Sequence, residues 1–165
     1  AGEIEVLLDS AIAVGQKTGL AAPYYLARAQ FFDRKGEYRK ALPDYNQYDS
    51  LIHTVDPTFF YARYKCETKL RMWQQALLDI ARTCYLAPKE PTYFAEWASL
   101  DLRVKRIDEG ISAAKACINL APEYADGYLL LGLLQREKGL KQESIENLKK
   151  AQELGDTRAE EYLKQ

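Results

Sequence analysis

The side chains that carry most enzyme chemistry are sparse in this chain. His53 is its only histidine, which excludes multi-histidine metal sites and paired-imidazole catalysis. It falls near the end of a predicted helix, where a surface or capping role is expected. Cys66, Cys84 and Cys117 include no C-x-x-C pair and are too scattered for a zinc site or a disulfide framework. They are expected to be buried free thiols that pack as small hydrophobes. That usage leans toward a reducing compartment, although an exported protein can also carry buried thiols. The stretch "GQKTG" from Gly15 to Gly19 has the composition of a phosphate loop. No strand precedes it, however, and the G-x-x-x-x-G-K-[ST] order is absent, so a helix end and turn is expected. Asp and Glu scatter over predicted solvated faces. No catalytic residue, cofactor or metal is assigned, and the chain is expected not to be an enzyme.

At 165 residues and 47% hydrophobic content the chain can bury a core of its own. Its 23 basic and 24 acidic residues give a net charge of −1, which argues against nucleic-acid or membrane-surface binding through bulk charge. No apolar run approaches the roughly 18–20 residues of a membrane span. The chain opens Ala1-Gly2-Glu3 with no leader pattern. The expectation is that a processed leader or an upstream region was removed before it.

Any chemistry must therefore come from how the elements are arranged, and these repeat. "PTFFYARYKCETKLRMWQQALLDIARTCYLAPKE" (residues 57–90) and "PTYFAEWASLDLRVKRIDEGISAAKACINLAPEY" (residues 91–124) both begin Pro-Thr and both carry Leu-Ala-Pro near their ends. Thr58 and Thr92, Pro88 and Pro122, and Ala76 and Gly110 are each 34 residues apart. Ser144 continues the series of small residues, and Ala41 precedes it at a spacing of 35. Each unit reads as two amphipathic helices: in the last, Tyr128, Leu131 and Gln135 line one face, then Ile145, Leu148, Ala151 and Leu154 line another. Gly36 and Gly139 break their units between the two helices, and Pro88 and Pro122 close the second helices of the two middle units. No useful length alternates with period two, so no strands are expected.

A 34-residue helix-turn-helix period with an early aromatic, small residues at the eighth and twentieth positions and a late proline resembles the tetratricopeptide repeat. The resemblance covers residues 22–158 and is fullest where Tyr128, Leu131, Gly132, Gly139, Leu148 and Ala151 fall. It implies an all-α, right-handed solenoid of stacked helix pairs. The expected organisation is one continuous domain: a first helix in 1–21 that reads as half of an earlier repeat, four repeats (22–56, 57–90, 91–124, 125–158) and a capping helix in 159–165. The small pairs Ala29 with Ala41, Ala98 with Gly110 and Gly132 with Ser144 allow close helix crossing. Tyr64 opposite Ala76 departs from this and is expected to splay its unit. Arg28 and Arg63 stand where the family has Leu, and Glu67 and Asp101 where it has Tyr. Two readings stay open for them, a buried ion ladder and snorkelling to the edge. Pro43 is expected to kink its helix, while Trp73 and Trp97 are expected in the core.

The resemblance also implies function: the first helices line a concave groove that binds protein segments. Its groove positions give Gln30 and Arg34; Tyr61, Lys65, Thr68 and Lys69; Thr92, Ala95, Ser99, Leu102 and Arg103; and Leu129, Leu133 and Arg136. Arg34, Lys69 and Arg103 occupy one position of successive units, with Lys65 and Arg136 beside them. Such a row suits an extended, acidic peptide; the bland alternative is solvated charge. The carboxylate clamp of chaperone-binding members is absent, since Leu26, Gln30, Ala62, Thr92 and Glu96 occupy its places. The expected function is a non-catalytic protein-interaction scaffold. The alternatives are a self-association module forming homo-oligomers and the docking region of a larger protein. The partner is expected to be a protein or peptide, not nucleic acid. The Tyr-rich helices resemble bacterial envelope-associated members, so an exported location is preferred to a cytoplasmic one.

Overall fold

The computed structural model describes residues 2–164, and among them all regular structure is helical. The helices are α1 (Gly2–Thr18), α2 (Ala22–Arg34), α3 (Tyr38–Ile52), α4 (Pro57–Lys69), α5 (Trp73–Leu86), α6 (Pro91–Arg103), α7 (Ile107–Leu120), α8 (Ala125–Glu137), α9 (Lys141–Glu153) and α10 (Arg158–Leu163). Proline opens α4 and α6 at the first helical position, where its missing N–H and fixed φ cost nothing. By packing, the chain divides into two compact parts, one ending at Asp79 and the other beginning at Ile80, so the division falls within α5.

One turn design joins the helices of every hairpin. Gly36, Arg71, Lys105 and Gly139 take left-handed φ values of 73°, 58°, 63° and 85°. The next N–H then reaches back across the turn: Glu37 to the Phe32 carbonyl, Met72 to Glu67, Arg106 to Asp101 and Leu140 to Gln135, at 2.8–2.9 Å. This double-back satisfies carbonyls that the helix end leaves open. Glycine adopts the conformation without strain, whereas Arg71 and Lys105 adopt it against the Cβ–carbonyl contact. The glycine breaks were legible in the sequence; their non-glycine equivalents were not. His53, at φ 51°, closes α3 in the same region, in keeping with a capping role.

In the first part α1 packs on α2, α2 on α3 and α3 on α4. Ala29 and Ala41 are fully buried, as expected of the small pair where the two helices of a hairpin approach. Tyr45, Phe59 and Phe60 meet edge to face, with centroids 5.8 and 5.3 Å apart, an arrangement that ring quadrupoles favour. The Tyr45 hydroxyl donates to Asp33 at 2.9 Å. α3 runs through Pro43 without interruption. Tyr64, expected to be a misfit, is buried with its ring stacked 5.8 Å from Tyr61.

Ion pairs cross this part, and for Arg28 and Arg63 the ladder is the reading realised; Glu67 and Asp101 do not join it as paired rungs. Arg28 grips Asp44 through Nε and Nη2 at 2.7 and 2.8 Å and reaches Asp9 with Nη1 at 2.6 Å. Sixteen residues likewise separate Arg63 from Asp79, which it grips at 2.6 and 3.0 Å while Nη1 donates to Asp49 at 3.0 Å. Hydrogen bonding to Asp44, opposed by burial, holds the Arg28 guanidinium charged well beyond its ordinary range. Glu67 lies 3.9 Å from Arg63, yet burial and the Asp79 charge push its carboxyl well above the usual range.

In the second part α6, α7 and α8 pack on one another, α8 on α9 and α9 on α10. Ala98, Ala114 and Leu134 are fully buried in its core, with Trp97 half-buried against them. Trp97 stands in register with Arg63, and Ala113 with Asp79, so an apolar contact here replaces the ion pair. Gly110 permits a close approach: a Cβ there would lie 2.6 Å from Leu134 Cδ2 and 3.1 Å from the Asp101 Cβ. Ser144, at the equivalent place on α9, donates to the Gly132 carbonyl at 2.7 Å. Asp101 is fully buried; both its oxygens lack a hydrogen bond, and Arg106 Nε stands 3.5 Å away.

Candidate binding surface

Titration behaviour and burial argue against nucleophilic chemistry at the thiols. All three cysteines are free and buried; burial pushes Cys66 and Cys84 up to about 12 and Cys117 to about 11. Thiolate character, on which cysteine reactivity depends, is therefore suppressed. Among the described residues no His, Cys, Asp or Glu cluster is arranged to hold a metal ion. No described helix is long and apolar enough to cross a membrane.

The sequence-selected positions fall into two groups. In the first part, Gln30 and Arg34 are exposed on α2, and Lys65 and Lys69 are exposed on α4 with half-buried Tyr61 beside them. Tyr61, Lys65 and Lys69 are spaced by four residues and so share one helix face. Lys65 Nζ lies 4.9 Å from the Tyr61 ring centroid, a cation–π contact that leaves the ammonium without a carboxylate. Among the described residues Arg34, Lys65 and Lys69 form no ion pair, whereas half-buried Arg28 and buried Arg63 are each matched by two or more carboxylates. Thr68, also on α4, turns its hydroxyl to the Lys65 carbonyl at 2.8 Å.

In the second part Ser99 and Arg103 are exposed on α6. Leu129, Leu133 and Arg136 are a correction. Leu129 is only 4% exposed, in a cluster with Leu148, Ala151 and Ala159, and Leu133 packs against the same cluster. Arg136 donates to the Tyr162 carbonyl, with its guanidinium carbon 5.7 Å from the Tyr162 ring. The short helix α10 covers these places, so they serve the end of the fold rather than an open groove. The sequence marked α10 as a polar cap but gave no sign of which α8 residues it would occupy.

Position along the helices supplies a second role for the cationic row. Arg34, Lys69, Arg103 and Arg136 each lie in the last turn of α2, α4, α6 and α8, where a cation complements the helix dipole. Lys65 lies one turn earlier, and neither the dipole nor a carboxylate accounts for it.

No protein-family model matches the sequence, and no curated protein matches it significantly. Solved structures do. YrrB, described as a tetratricopeptide protein with an unusual peptide-binding site, superposes with a TM-score of 0.85 at 20% identity, covering 99% of this chain and 84% of its own. The chain has the tetratricopeptide-repeat fold. MamA from Desulfovibrio magneticus RS-1 matches with a TM-score of 0.77 at 22% identity, over 86% of this chain and 81% of that one. The first tetratricopeptide domain of Spaghetti (RPAP3), solved with the HSP90 peptide SRMEEVD, matches with a TM-score of 0.63 at 16% identity, over 66% and 87%. The tetratricopeptide fold, all-α and of the solenoid class, is thus common to this chain and proteins of very different sequence.

Proposed function

We propose that this chain is a non-catalytic interaction scaffold whose first helices bind an extended acidic protein segment. The observation that carries the reading is the α4 face, where exposed Lys65 and Lys69 stand without carboxylate partners beside Tyr61. Tyr61 offers an apolar contact with a hydroxyl, and the two ammonium groups offer charge-assisted contacts to carboxylates. Gln30 and Arg34 carry comparable chemistry on α2, and Ser99 and Arg103 carry it on α6. Two tetratricopeptide structures lend support, since one is described as having a peptide-binding site and another holds a peptide containing two glutamates and an aspartate. Leu129, Leu133 and Arg136 take no part.

The test is fluorescence anisotropy with a labelled extended Glu-rich peptide and its Gln-substituted twin. The acidic peptide is expected to bind and its twin to bind far more weakly, with affinity falling as salt is added. Lys65→Glu with Lys69→Glu should weaken binding about a hundredfold, from about 1.5 kcal/mol lost per charge-assisted contact. Equal affinity for the two peptides, or for native chain and variant, refutes the reading.

A further inference from the structure

α1 carries two apolar faces, and only one of them is used. Ile12 and Gly15 are buried toward α2; a Cβ on Gly15 would lie 2.7 Å from the Ala21 Cα. Glu5 and Asp9, on the same side, reach Lys40 at 3.5 Å and Arg28 at 2.6 Å. The other face bears Ile4, Leu7, Ala11 and Val14, of which Ile4, Leu7 and Val14 are 51%, 68% and 62% exposed. Steps of three, four and three give the a/d spacing of a helix seam made for knobs-into-holes packing.

The other second helices show what this face is not. Ala41 on α3, Ala76 on α5, Gly110 on α7 and Ser144 on α9 are small and buried where the two helices of a hairpin cross closely. Ala76 and Gly110 each lie 15 residues before the next helix begins at Pro91 and Ala125. The same interval before Ala22, the start of α2, falls on Leu7. A close crossing of the kind used inside each hairpin is blocked there by a Leu, whereas a helix at ordinary coiled-coil separation fits.

The charges beside the seam select the occupant. Glu3 stands in the first turn of α1 and Lys17 in the last, both on the solvent side of the stripe, with Ser10 midway. In an antiparallel pair of identical helices, Ile4 meets Val14 of the second copy and Leu7 meets its Ala11. Along the edge, Glu3 meets its Lys17 and Ser10 its Ser10. The apolar layers centre on residue 9 and the flanking pairs on residue 10, an offset of about 1.5 Å that long side chains span about a single two-fold axis, and the helix dipoles oppose. A parallel pair would leave Glu3 and Lys17 at opposite ends. We propose that α1 is a homotypic interaction surface that pairs antiparallel with α1 of a second copy of this chain. The site is independent of the α4 face, so the two proposals stand or fall separately.

Sedimentation equilibrium of the chain tests it. A reversible dimer is expected, and Leu7→Asp with Val14→Asp should raise its dissociation constant at least about a hundredfold. The melting temperature of the single copy should fall by no more than the few degrees that Asp costs inside a helix, because both side chains are exposed in it. Glu3→Lys should weaken the dimer about tenfold by setting Lys against Lys, and adding Lys17→Glu should restore it. A chain that stays monomeric at about 1 mM, the weak end of specific association, overturns the proposal. So does a Leu7→Asp/Val14→Asp variant that melts lower by far more than helix propensity explains, as loss of two buried side chains would make it, which would place the stripe inside one copy. A charge swap without restoration overturns the antiparallel arrangement and with it the assignment of the occupant.

Discussion

Asp101→Asn tests whether a buried carboxylate without hydrogen bonds governs the stability of the α6–α8 core. Asp101 is fully buried, neither oxygen has a hydrogen-bond partner, and Arg106 approaches only to 3.5 Å. Burial raises its pKa from the ordinary 3.8 to about 6, against the Arg106 charge and with a smaller contribution from Glu109. Because the folded value is the raised one, the carboxyl favours the folded state fully below pH 3.8, and that advantage is lost as pH rises through about 6. At 1.36 kcal/mol per pH unit the span from 3.8 to about 6 amounts to about 3 kcal/mol. The amide cannot ionise, so its stability should lack this component. Urea unfolding of both proteins between pH 3.5 and 8 checks the point. The difference, variant minus native, should grow in the variant's favour by about 2–3 kcal/mol across that range. A difference that stays flat with pH would mean that the charge is satisfied in a way the packing does not suggest, and the reasoning fails.

Arg63→Ala removes the guanidinium that faces Asp79, Asp49 and Glu67 and should cost about 3–5 kcal/mol in denaturant unfolding, while Arg63→Met with Asp79→Leu should cost much less. Trp97→Ala should cost about 2 kcal/mol, below the usual value for a fully enclosed ring because Trp97 is half-buried; a loss under about 0.5 kcal/mol would place it outside the packing. Arg71→Gly should stabilise the chain by about 0.5–1 kcal/mol in thermal unfolding, since the side chain is held at a φ of 58° that glycine adopts without strain. With thiols pushed up to about 11–12 by burial, none of the cysteines should react with a disulfide reagent at pH 8 until the chain is unfolded.

The helical repeat could be read from the chain because its signal is redundant: proline openings, small crossing residues and aromatic positions recur at one period. The ladder was half legible. Arg28 and Arg63 stood out as charges at apolar positions, but Asp44 and Asp79 lie sixteen residues on, across a turn, among many other carboxylates. Local pattern marks a residue as unusual without naming what it meets. The turn residues Arg71 and Lys105 were hidden because their backbone conformation is imposed by the hairpin and not by their own preference. Leu129, Leu133 and Arg136 misled for a related reason. Their register matched the other groove positions, and only the path of α10 takes them out of solvent. The seam on α1 was written openly in its apolar spacing, yet one helix with two apolar faces reads in sequence as one well-buried helix.

The central claim, that the α4 face recruits acidic segments, is tested most directly without choosing a ligand. Extended peptides selected from an unbiased display library against the native chain should be enriched in Asp and Glu. The enriched peptides should fail to bind the Lys65→Glu, Lys69→Glu chain at unchanged helical content. Selected peptides that are neutral or basic, or that bind the variant as well as the native chain, would contradict the account.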